Sequence, residues 1–229
     1  MRKNTMGRVV TGGVGLLITV GVVGSLMRYL LPHDLHLAVA TPLYGGYAPE
    51  QLPVLAAHPA VEAAHRLGGA LYLVLGALQW SARLRARRPE IHRWCGRVFL
   101  ALSVVAAGSG IVMVVRFPYE AGERAPAVIF GVLLLIFALK ALLHIRRGEV
   151  RAHREWMARS FAIGLGIATI RLMALTVLNA TSLTARQIIT PVFWLGWALT
   201  LLLAELWIRA QQGGRKAAPA STDSAPRAA

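Results

Sequence analysis

The segment APAVIFGVLLLIFALKALLHI, residues 125–145, decides the fold. Its length matches the roughly 20 residues a helix needs to cross a hydrocarbon core. Its one charge, Lys140, sits near one end. A helix on the surface of a soluble domain needs a polar face, and this segment has none. Working outward, residues 9–31, 61–82, 94–115, 157–178 and 188–208 are also long and mostly apolar. The sequence thus predicts an all-α, integral membrane bundle of six transmembrane helices. Residues 1–8 precede the 9–208 bundle. Residues 209–229, rich in small and polar residues with Pro219 and Pro226, are expected to be a disordered tail. The basic start and Ala38-Val39-Ala40 mimic a signal peptide, but the first apolar run exceeds a signal core and is read as a retained helix.

Composition agrees. Of 229 residues, 56% are hydrophobic and 15% charged, whereas a soluble domain carries about 25% charged residues. The net charge of +15 would suit nucleic acid, but the basic residues cluster in short segments between apolar runs. Arg2, Lys3 and Arg8; Arg83, Arg85, Arg87, Arg88 and Arg93; Arg146, Arg147, Arg151 and Arg154; and Arg209, Arg215, Lys216 and Arg227 fall in alternate segments. The intervening segments hold only Arg116, Arg124 and Arg186. Sixteen against three predicts both termini in the cytoplasm of a bacterial inner-membrane protein (N-in/C-in). Nucleic acid is not expected as a partner; the lipid bilayer is. Cys95 is the only cysteine, which excludes an intrachain disulfide and any cysteine-based metal motif.

Ionisable residues inside membrane helices are costly, and so are functional candidates. Near the basic side stand His92, Arg97, Lys140, His144, His153, Arg159 and Glu205; towards the other stand Arg28, Glu62, His65, Arg66 and Arg171. Helical spacing puts His65, Gly69, Tyr72, Gly76 and Gln79 on one face. It does the same for His92, Gly96, Ser103, Ala107 and Gly110, and for His153, Ser160, Gly164 and Arg171. Such small faces admit a neighbouring helix closely, or leave room for a flat ligand. Both readings stand. His92, His144 and His153 share one end of the bundle, where two imidazoles could ligate a b-type haem, His92 and His153 first and His144 as substitute. Arg97 or Arg159 would then face its propionates. The alternative is that these are interfacial histidines. No carboxylate-rich metal motif, Ser-His-Asp set or P-loop is present. Lys140 and Glu205, at similar depth, are expected to pair.

Three stretches, AHRLGGALYLVLGALQW (64–80), RRPEIHRWCGRVF (87–99) and IRRGEVRAHREWMARSFA (145–162), carry a resemblance. The marks are His65-x-x-Gly68, His92-Arg93-x-x-Gly96 and His153-Arg154-x-Trp156-Met157. Over roughly residues 60–180 the chain resembles the bacterial membrane-protein family called domain of unknown function 2306. The resemblance implies a multi-pass membrane protein and no particular activity.

Two functional readings follow from the residues. One is a membrane redox protein with a single haem b, exchanging electrons with quinone or other membrane redox partners. The other is a non-enzymatic membrane protein, either a small transporter or an assembly or lipid-interacting factor.

Overall fold

The computed structural model describes residues 2–32, 34–36, 38–39, 53–117 and 121–216, and no strand occurs among them. The elements are α1 (Arg2–Leu30), α2 (Pro59–Gln79), α3 (Ala82–Arg87), α4 (Pro89–Arg116), α5 (Ala121–Arg146), α6 (Val150–Ala180) and α7 (Ala185–Lys216). All but the short α3 correspond to the six apolar segments. Five are long and apolar enough to cross a membrane: α1, α4, α5, α6 and α7. The other long helix, α2, falls short in hydropathy because Glu62, His65 and Arg66 occupy its first turns.

Local chemistry sets the helix starts and stops. Pro59 opens α2 and Pro89 opens α4, positions where the missing N–H costs nothing. Ser81 caps α3 by accepting from the Leu84 N–H at 3.1 Å. Between α5 and α6 the chain reverses at Gly148, whose φ of 76° is the left-handed conformation that glycine adopts freely. Pro126 lies inside α5, one turn after its start, where its missing N–H leaves the Gly122 carbonyl without the usual intrahelical donor. The last helix runs beyond Ile208 into the expected tail, because Arg209 to Gln212 are good helix formers and Gln212 Nε2 donates to Glu155 Oε1 at 2.9 Å. Residues 217–229 and the 42–49 loop lie outside the described residues.

α6 is the hub. It packs against α1, α2, α5 and α7, while α4 bridges α2 and α5. Half of its apolar window is buried, against 17–28% for the other four spanning candidates. Its sequence explains this: Ala158, Ser160, Ala162, Gly166, Ala168 and Ala174 keep its surface thin, and neighbours approach closely. Around it lies a core of Tyr72, Leu73, Phe99, Phe130, Leu134, Phe161 and Leu165.

The three faces of small and polar residues meet one another. A methyl group added at Gly164 would overlap the Tyr72 ring, and one at Gly76 would overlap Phe161. His65 lies against Gly110, and Gln79 against Gly96. Close helix packing is the first use of these faces.

Candidate functional site

The helices alternate in direction, so the bundle has two ends. The basic end holds the turns around Arg83–Arg88 and Arg146–Gly148; the opposite end holds the first turns of α2, α5 and α7. The sequence-derived candidates divide between them.

At the basic end each histidine has its own local setting. His144 pairs with Glu149 across the Gly148 turn. His153 Nδ1 donates to the Ala141 carbonyl at 2.8 Å, pinning the start of α6 to α5. The His92 carbonyl accepts from Gln79 Nε2 at 3.4 Å, and its Nδ1 is buried without a hydrogen-bond partner among the described residues. Those residues include no group of three or more His, Cys, Asp or Glu placed to hold a metal ion.

The expected Lys140–Glu205 pair is not formed. Glu205 is held by both arms of Arg159, with Nη2 to Oε2 at 3.0 Å, and Lys140 Nζ lies 4.3 Å from the centre of the Trp156 ring. Arg159 covers the same ring at 4.5 Å. The reason is geometric: α6 and α7 pack side by side and point Arg159 at Glu205, and the planar guanidinium matches a carboxylate better than a lysine does. Arg97 covers Trp94. The two arginines considered for haem propionates are thus engaged elsewhere.

The opposite end is built differently. Glu62 and Arg66, one turn apart on α2, pair at 3.0 Å, and Arg28 of α1 reaches Glu62 at 3.7 Å. Glu62 and Arg66 are only 4% and 8% exposed. Arg171, carried in by α6 and also buried, donates from Nη1 to the Gly21 carbonyl at 3.1 Å, and its guanidinium fills the space a side chain at Gly24 would need. His65 Nδ1 donates to the Ala106 carbonyl of α4 at 3.1 Å and lies 3.4 Å from Ser109 Oγ. Glu123, on the first turn of α5, is 1% exposed; a carboxylate is favoured there by the helix dipole.

His65, Arg66, Glu123 and Arg171 border a cavity of about 240 Å³ lined by α1, α2, α4, α5, α6 and α7. Its polar end carries Ser25, His65, Arg66, Glu123 and Arg171; further along, the wall is Leu73, Leu134, Ile163, Gly164, Phe193 and Trp197. The floor is aromatic. Tyr72 donates to the Ser160 carbonyl at 2.8 Å and stacks on Phe99 with ring centres 4.4 Å apart. Trp197 Nε1 donates to the Ile163 carbonyl at 3.1 Å, which fixes one wall. From Arg171 to Ile163 the helix rises about 12 Å, so polarity falls from charged to apolar over that depth.

His65, Arg66 and Arg171 are therefore brought to one cavity, while His92, His144, His153, Arg97, Lys140, Arg159 and Glu205 are not. Sequence reasoning put Tyr72 on the His65 face but missed Glu123 and Trp197 as site residues. Glu123 could have been found by starting the helix at Ala121 rather than at Ala125.

Neither curated proteins nor solved structures give a match to the chain. The family model described as predicted membrane protein (DUF2306) matches residues 63–208, a stretch holding every cavity residue named above except Ser25. That match covers more than half of the sequence, and the chain belongs to this family of membrane proteins.

Proposed function

We propose that the protein crosses a bacterial inner membrane six times, with both termini in the cytoplasm, and binds a small ligand in the cavity at the external end. The sixth span is α2. Its 21 residues rise about 30 Å, enough for a hydrocarbon core, and its charges turn inward to Arg28 and the cavity rather than to lipid. Orientation rests on the sixteen-to-three partition of Lys and Arg.

The observation that carries the binding role is the cavity itself: an apolar pocket with a few convergent polar groups is the ordinary form of a ligand site. It is non-enzymatic in this reading, because the described polar groups of the cavity bind and orient but form no nucleophile–base pair. Gly69 provides the test. It lines the cavity, and a Cβ there meets nothing within 4 Å, so Gly69→Leu fills the space without displacing the packing. Brominated decanol quenches tryptophan, and Trp197 lies in the wall. In lipid nanodiscs the wild type should show a saturable quenching component that both Gly69→Leu and Trp197→Phe lose. Identical quenching in wild type and Gly69→Leu would reject the site.

A second reading, one haem b on His92 and His153 serving quinone or another redox partner, has one supporting observation. His153 Nδ1 is tied to a backbone carbonyl, the arrangement usual for an iron-bound imidazole. Its test is a reduced-minus-oxidised spectrum of protein expressed with ample haem: a b-type band lost in His92→Ala and in His153→Ala supports it, and a colourless folded protein ends it.

A further inference from the structure

We infer that the cavity's ligand is an uncharged alcohol or phenol, its hydroxyl donating to His65 Nε2 and its apolar body lying along Leu134, Ile163 and Trp197. This rests on the cavity reading above and adds the chemistry of the occupant.

The wall has already committed its neutral donors. Among the described residues, four uncharged side chains with an O–H or N–H line the cavity: Ser25, His65, Tyr72 and Trp197. Each donates to a main-chain carbonyl: Ser25 Oγ to Gly21 at 2.8 Å, His65 Nδ1 to Ala106 at 3.1 Å, Tyr72 Oη to Ser160 at 2.8 Å and Trp197 Nε1 to Ile163 at 3.1 Å. A carbonyl only accepts, so the proton of a neutral His65 is on Nδ1 and Nε2 is the acceptor. Nδ1 and Cε1 lie against α4, where a Cβ at Gly110 would stand 3.3 and 3.0 Å from them. Nε2, across the ring from Nδ1, makes no hydrogen bond among the described residues. The wall therefore offers an acceptor, and a ligand hydroxyl supplies the matching donor.

Charge balance points to a neutral head. The buried guanidiniums of Arg66 and Arg171 stand against the buried carboxylates of Glu62 and Glu123. Arg66 pairs with Glu62 at 3.0 Å, Arg171 holds the Gly21 carbonyl, and Glu123 is partnered as well. A charged head would enter without a counter-ion, and burying an unpaired charge costs far more than burying a hydroxyl that is hydrogen-bonded. Size limits the body. The volume of about 240 Å³ exceeds the roughly 150 Å³ that holds a benzene ring and falls short of the roughly 300 Å³ at which drug-sized sites begin. One ring or one unbranched chain fits; the full apolar body of a two-chain lipid does not.

The experiment repeats the nanodisc quenching with brominated decanol, its methyl ether, a brominated decyl sulfonate and a brominated decyl-ammonium compound, each corrected for its partition into empty nanodiscs. The alcohol should bind at least about tenfold more tightly than the ether, a difference of about 1.4 kcal/mol, because the ether leaves Nε2 unpaired. The sulfonate and the ammonium should both bind more weakly than the alcohol. His65→Phe keeps a ring against α4 and removes the acceptor, so it should still bind the ether and lose the alcohol's advantage. An ether bound as tightly as the alcohol would overturn the hydroxyl donor while leaving the cavity intact. A sulfonate or ammonium bound as tightly as the alcohol would overturn the neutral head. An undiminished preference for the alcohol in His65→Phe would overturn His65 as its partner. Absence of saturable binding by any of the four would remove both this inference and the cavity reading. The wild-type series decides even if His65→Phe does not fold.

Discussion

Replacing Arg159 by Met removes both hydrogen bonds to Glu205 and the cation from the Trp156 face. A hydrogen bond to a charged group contributes about 1.5–3 kcal/mol when well shielded. Here the side chains are 17% and 32% exposed, so water recovers part of that. A fully buried pair broken on one side costs about 3–5 kcal/mol, which sets the ceiling. The coupling between Arg159→Met and Glu205→Gln should then be about 1–3 kcal/mol. Lys140→Met is the control. It loses a contact over Trp156 worth about 0.5–1 kcal/mol, and its coupling to Glu205→Gln should lie within about 0.5 kcal/mol of zero. The assay is a double-mutant cycle by reversible SDS titration in mixed micelles, followed by circular dichroism. Additive losses for Arg159 and Glu205, or an equal coupling for Lys140, would refute the assignment of partners.

Gly69→Ala should raise stability by up to about 1 kcal/mol, because the helix gains propensity and the methyl meets open space. Gly164→Ala should instead lower it by about 1–3 kcal/mol, since the Tyr72 ring is stacked and tethered and cannot retreat; the same SDS titration ranks them, and the reverse order would contradict the packing. Tyr72→Phe should cost about 1 kcal/mol through the lost bond to the Ser160 carbonyl, and a neutral result would show that this hydroxyl is bonded elsewhere. Reporter fusions at Arg88 and at the C-terminus should give a cytoplasmic signal and one at Tyr47 an external signal; a cytoplasmic signal at Tyr47 rejects the orientation.

Much of the helix layout was legible because membrane spanning imposes a length and a composition on each segment. The inward faces were legible too. Gly76, Gly110 and Gly164 recur at helical spacing with His65, His92 and His153, and the structure puts them at helix contacts. Partner choice was not legible. Lys140 and Arg159 have similar depths in the sequence, and only the rotation of α6 against α7 gives Glu205 to Arg159. The cavity was missed for a related reason. It takes small parts of six helices, and Glu123 enters it only because α5 begins at Ala121 rather than Ala125.

The central place of α6 has a consequence for biogenesis. A chain leaves the ribosome N-terminal end first, so α1, α2, α4 and α5 are made before the helix that three of them share as a neighbour. Until then the notch at Gly21 and Gly24 lacks the guanidinium of Arg171 that fills it, and Tyr72 has no Ser160 carbonyl to meet. The early helices can pair with one another, α2 with α4 above all, but lack their hub. Assembly becomes a late event triggered by insertion of one segment, and chains halted before residue 150 should be recognised and degraded as unfinished.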